Sequence, residues 1–247
     1  MAEFDLLNAS VGVIQNVVNN PAILVASMAS LTHSVARLAL GVRDYHLLEK
    51  IEEFIAGYKY EILSDKEEKR FYGMIDKHLK NPEKLYRLIV IAIDRLDKVY
   101  KASFLAKLLK AMRKGLLRYD QFDDMCKIIE GWFESDTETL KYFQMIPTLD
   151  AGNKNFGKSY AFRMEYARRQ RLVSLGLLLS TEDDHTKGRH SNPTNIYISE
   201  KLTTYGLILL DLISPNEITK DYSDKDTGYA LNFASRSLPV CINDEST

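Results

Sequence analysis

Hydrophobic residues recur along most of this chain at the three-and-four spacing of buried helix faces. After Asn20 and Pro21, a cap and a first-turn proline, Leu24, Met28, Leu31, Val35, Leu38 and Val42 form one apolar seam. Ala and Ser dominate its far side, which suits close approach of another helix. Leu47, Leu48, Ile51, Phe54 and Ile55 make the next stripe, and Phe71, Met74, Ile75 and Leu79 the one after. Ser64 with Glu67 reads as a capping box, and Asn81 before Pro82 as a cap with proline at the first helical position. From Pro82, Leu85, Leu88, Ile89, Ala92, Ile93, Leu96 and Val99 predict a central helix. A helix holding Phe104, Leu105, Leu108, Leu109 and Met112 should end at Gly115. Asp120 is expected to cap a helix through Phe133, with Trp132 and Phe133 inward, and Asp136 a further helix ending before Pro147. No strand is expected up to that point.

Beyond Ser159 the order changes. A helix from Tyr160 to Leu175 ends at Gly176, Leu177 to Ser180 reads as a short strand, and the polar run TEDDHTKGRHSNPT separates it from a second strand, NIYIS. A last helix starts near Thr203. After Ile213 the chain carries Pro215 and many Asp and Ser residues, and reads as an arm or partly disordered segment. The expected fold class is therefore mostly α: a multi-helix N-terminal region and a C-terminal module with a short β-hairpin. The expected divisions are an N-terminal segment 1–20, a helical domain 21–135, a module 136–213 and an arm 214–247.

Charge selects no partner in bulk, because 33 basic residues stand against 34 acidic ones. Locally it does: Lys158, Arg163, Arg168, Arg169 and Arg171 face the single acid Glu165. Lys187 and Arg189 restore positive charge in the polar loop after Glu182, Asp183 and Asp184.

Helix, glycine, strand, polar hairpin, strand, helix resembles the end of a winged-helix domain. In that resemblance "RLVSLGLL" closes the recognition helix, residues 181–195 make the wing and "LTTYGLILL" opens the packing helix. The resemblance covers roughly residues 136–213 and rests on pattern rather than on an invariant motif. It implies binding of double-stranded DNA or of a protein partner through the basic helix and wing. The small helical body ending in "LGLL…LTTYG" also resembles bacterial prophage and host-defence proteins of the Abi-alpha type.

One stretch points elsewhere. GNKNFGKS fits the phosphate-loop pattern, with Gly152 and Gly157 shaping the turn, Lys158 for the outer phosphates and Ser159 for Mg²⁺. Such a loop needs a strand before it and a parallel sheet around it. Pro147 speaks against the strand, and too few residues follow Ser159 to build the sheet. The competing reading is a turn whose Ser159 caps the next helix.

No catalytic residue, metal site or cofactor is expected. His185 and His190 lie in a polar loop without a ligand spacing, and Cys126 sits in an apolar helical pattern. Asp94 and Asp97 are expected to form ion pairs with basic neighbours. Residues 6–36 carry no charged side chain, which raises membrane contact as an alternative, but Ser27, Ser30, Thr32, His33 and Ser34 make residues 22–42 too polar for a confident span. The leading reading is a cytoplasmic, non-enzymatic regulatory or interaction protein that contacts a partner or a second copy through residues 22–42. The alternatives are an effector acting peripherally at a membrane and a nucleotide-binding protein.

Overall fold

The computed structural model describes residues 2–19, 42–58, 62–149, 166–182 and 198–224. They form α1 (Ala2–Asn19), α2 (Val42–Tyr58), α3 (Asp65–Leu79), α4 (Pro82–Arg95), α5 (Lys101–Arg113) and α6 (Tyr119–Gly131). A 3₁₀ turn (Glu134–Asp136) leads into α7 (Thr137–Leu149), then come α8 (Tyr166–Ser174), β1 (Leu178–Glu182), β2 (Ile198–Leu202) and α9 (Thr204–Ile213). The fold is mostly helical, and the apolar seam before Val42 lies outside the described residues.

Local chemistry starts and stops these helices. Ser64 and Glu67 form the reciprocal capping box of α3, and Asn81 Oδ1 accepts the Glu83 N–H 2.9 Å away at the start of α4. At the end of α5, Gly115 turns to a φ of 72° and the Leu116 N–H reaches back to the Ala111 carbonyl. Asp97 pairs with Lys101 at 2.7 Å, one of the ion pairs the sequence suggested.

Other boundaries differ from the sequence expectation. Residues 2–19 form a helix, because Leu6, Ser10, Val13, Ile14, Val17 and Val18 all fall on one buried face. Asn8, Gln15, Asn16 and Asn19 occupy its exposed side rather than interrupting it. α4 stops at Arg95, and Leu96 turns extended while remaining buried. Asp120 is not the cap of α6. That helix opens earlier, where Gln121 Oε1 accepts the Arg118 N–H, and Asp120 pairs with Arg118 instead. α7 runs through Pro147 to Leu149: the fixed φ of proline is helical, and the last turn forms with one i→i−4 hydrogen bond fewer because Pro147 has no N–H to donate. Phe133 is 49% exposed: the chain leaves α6 at Gly131, Trp132 enters the core and the following extended residue faces outward.

α2 packs most extensively on α5, α1 covers α4, and α4 lies centrally against both layers. One buried cluster runs from Leu6 through these helices to Leu177, Leu178, α9 and Tyr222. The stretch after Ile213 is no loose arm over its described part. Ile218 and Tyr222 are buried, and the Tyr222 N–H donates to the Leu116 carbonyl at 2.8 Å.

Two buried cations brace the body. Lys101 is 1% exposed, and its Nζ donates to the carbonyls of Ile129 at 3.0 Å and Trp132 at 2.6 Å, closing the end of α6. Arg113 donates to the Tyr58 hydroxyl and lies over the Phe71 ring.

Candidate functional site

The candidate site is the basic helix α8 and the structure that seats it. α8 ends where Gly176 takes a φ of 71°, with the Leu177 N–H bonded to the Leu172 carbonyl at 2.9 Å. β1 follows directly and pairs antiparallel with β2, Leu178 opposite Leu202 and Glu182 opposite Ile198. β1 begins one residue later than the sequence pattern placed it, and β2 overlaps the expected NIYIS strand at Ile198 and Ser199, residues 195–197 lying outside the described residues.

Thr203 joins the two halves. Its N–H donates to the Leu177 carbonyl at 3.1 Å, its hydroxyl donates to the Gly176 carbonyl at 2.5 Å, and its Oγ1 accepts the Gly206 N–H at the first turn of α9. Gly206 is required by this closure. A Cβ there would stand 2.5 Å from the Leu177 carbonyl oxygen. Residues 183–197, with Lys187 and Arg189, lie outside the described residues.

The arginines of α8 are not all directed at solvent. Arg171 donates two guanidinium N–H groups to Asp136, the Nε contact measuring 3.2 Å, and Asp136 is completely buried. The Asp136 carboxylate also accepts the Phe133 N–H, so it is spent on this junction rather than on the first turn of α7. Arg168 stands 3.8 Å from the same carboxylate. The Arg171 guanidinium lies over the exposed Phe133 ring, 4.5 Å from its centre. Two cations thus share one anion, and the side chains of Arg168 and Arg171 keep 37% and 35% of their surface exposed.

Arg169 is carried on the same helix. Lys158 and Arg163 lie outside the described residues, as do Gly152, Gly157 and Ser159 of the phosphate-loop pattern. The described element that leads toward Gly152 is the helix α7, not a strand. The apolar run Leu207 to Asp211 is helical too, and Asp211 accepts the Tyr222 hydroxyl at 2.7 Å.

Asp136 and Phe133 are neighbours of the candidate helix that the sequence pattern does not reveal. Asp136 was legible only as a helix cap, and no local spacing links it to Arg171. A second tie is Tyr205, whose hydroxyl donates to Asp124 at 2.7 Å, joining α9 to α6. Beside it, burial pulls the Lys127 ammonium down, but the hydrogen bond and charge of Asp123, with Asp124, outweigh this and hold it above its ordinary value.

Cys126 is buried, and burial together with Asp123 pushes its thiol well up, so it stays protonated and unreactive at neutral pH. Among the described residues no group of three His, Cys, Asp or Glu is placed to hold a metal ion. None of the helices among them is long and apolar enough to cross a membrane.

These features define a mostly helical protein whose basic C-terminal helix is bolted to the body through a buried carboxylate. No family model matches the chain, and neither a curated protein nor a solved structure matches it.

Proposed function

We propose that this is a non-enzymatic regulatory protein whose C-terminal winged-helix-like module binds an anionic partner, duplex DNA in the first place. The reading rests on one observation: among the described residues Arg168 and Arg171 both stand at the Asp136 carboxylate, so the partly exposed face at α8 carries surplus positive charge, with Arg171 held in place. Fixed guanidinium groups suit phosphate, because little side-chain freedom is lost on binding. Arg169, Lys158 and Arg163 add cations on or before this helix, and Lys187 and Arg189 add them in the wing of the resemblance. The order of α8, β1, β2 and α9 around Thr203 supports the winged-helix comparison. A role in prophage or host-defence regulation belongs to the same proposal.

An electrophoretic shift of the full chain with duplex DNA tests it, at about 50 mM and about 200 mM salt. Binding at the lower salt that weakens at the higher is expected. No binding at the lower salt, where phosphate attraction is strongest, contradicts the DNA reading.

A protein partner is the second reading, favoured by Phe133. An exposed aromatic ring covered by an arginine has the composition of an interface anchor. On that reading Phe133→Ala weakens complex formation while the chain stays folded, with at most the small fall in melting temperature that losing the Arg171 contact brings, and undiminished complex formation contradicts it.

A further inference from the structure

The segment that follows α9 is built as a strap across the body. Residues 214–224 leave the end of α9, pass over the C-terminal half of α5 and finish beside the start of α6. Two side chains anchor them, Ile218 and Tyr222, both buried. Tyr222 is held three ways: its hydroxyl donates to Asp211, its N–H to the Leu116 carbonyl, and its carbonyl accepts Gln121 Nε2 at 2.9 Å. Arg118 donates to the Ser223 carbonyl at 2.7 Å just beyond.

Ahead of Tyr222 the attachment is of another kind. Among the described residues, the backbone N–H groups of residues 216–221 make no bond to a backbone carbonyl. Glu217 instead accepts Lys110 Nζ at 2.5 Å and stands 3.8 Å from Lys114 Nζ. Lys107 donates to the carbonyls of Leu212 at 3.1 Å and Ser214 at 2.8 Å, at the end of α9. Beside the strap lies a partly open pocket of about 100 Å³, lined by Gly57, Ala111, Pro215 and Ile218 and by the same lysines and Glu217. Its size admits water, so this stretch of the strap is held by solvent-accessible ion pairs rather than by close apolar packing.

We infer that residues 214–224 form a latch that opens while the helical core stays folded. Opening it breaks no helix. It withdraws the Glu217 carboxylate from Lys110 and Lys114 and removes the Tyr222 tie on Asp211. The latch therefore sets how firmly α9, and with it the C-terminal module, is held to the body. This inference does not depend on the module binding DNA.

Hydrogen exchange of the full chain, read by NMR at the Tyr222 amide and at the buried Leu108 and Leu109 amides of α5, tests the latch. Tyr222 should exchange more slowly than an unprotected peptide yet at least about tenfold faster than the α5 amides, the pattern of a local opening. Glu217→Gln should speed exchange at Tyr222 and leave Leu108 and Leu109 unchanged. Exchange of Tyr222 at the α5 rate, no protection at all in the wild type, or no effect of Glu217→Gln would each overturn the inference.

Discussion

Arg171 on α8 and Asp136 at the mouth of α7 form a two-pronged ion pair whose carboxylate is entirely buried. A buried charge is tolerated when its partner and hydrogen bonds are complete, and here the Phe133 N–H supplies a further donor. The pair thus fixes α8 on the body.

Removing one side of this pair should be costly. Arg171→Ala leaves the buried Asp136 carboxylate with only Arg168, 3.8 Å away, and the Phe133 N–H, and a loss of about 3 kcal/mol is expected, at the low end for a buried pair because Arg168 remains and Arg171 is a third exposed. Urea denaturation of the two proteins measures it. A loss below about 1 kcal/mol would place the pair among surface ion pairs instead.

Lys101 makes the corresponding test inside the body. Its ammonium closes the end of α6 by taking the Ile129 and Trp132 carbonyls and pairs with Asp97. Lys101→Met keeps the apolar stem and removes the donors, so a loss of about 2–3 kcal/mol is expected from carbonyls left without partners. A stability equal to wild type in thermal melting would show that the carbonyls find other donors.

Tyr86 gives a pH dependence. Burial, then the neighbouring Tyr72 hydroxyl, pushes its phenol up to about 12 from the ordinary 10.0, against the smaller opposing effects of Asn19 and Arg113. The folded state therefore prefers the neutral phenol. Its stabilising contribution is fully present below pH 10, where the unfolded phenol is neutral too, and is lost as pH rises through about 12. Stability followed by denaturation from pH 9 to 12 should fall less steeply in Tyr86→Phe than in wild type, and parallel curves would contradict this.

Two backbone positions should respond in opposite directions. Gly206→Ala drives a Cβ against the Leu177 carbonyl oxygen and the Leu202 side chain at the Thr203 junction, and a destabilisation of about 2 kcal/mol or more is expected. Lys80 ends α3 with a φ of 60°, where a side chain is strained. Lys80→Gly should stabilise the protein by up to about 1 kcal/mol. Melting temperatures that move the same way in both variants would contradict this backbone assignment.

Much of the helical order was legible because its signals are local. Ser64 with Glu67, Asn81 with Pro82, and Gly115 and Gly176 bound their helices through neighbours within a few residues. α1 lacks such flanking signals, and its amphipathic pattern shows only when Asn8, Gln15 and Asn16 are set on a wheel opposite Leu6, Ile14 and Val18. Phe133 faces outward because the helix ends at Gly131, so helical spacing does not extend to it. The site was less legible than the fold for a different reason. A run of arginines carries no mark of which member will be spent on a buried partner, and Asp136 lies 35 positions before Arg171. The strap is hidden by composition, since its two buried residues, Ile218 and Tyr222, are set among polar ones.

The salt dependence of duplex DNA binding, measured by fluorescence anisotropy with the full chain, tests the proposed function most directly. Affinity should fall linearly on a log–log plot with salt, and Arg163→Ala and Arg169→Ala should each lower the slope by about one phosphate contact. Binding that is absent at low salt, or unchanged in slope by both substitutions, would contradict it.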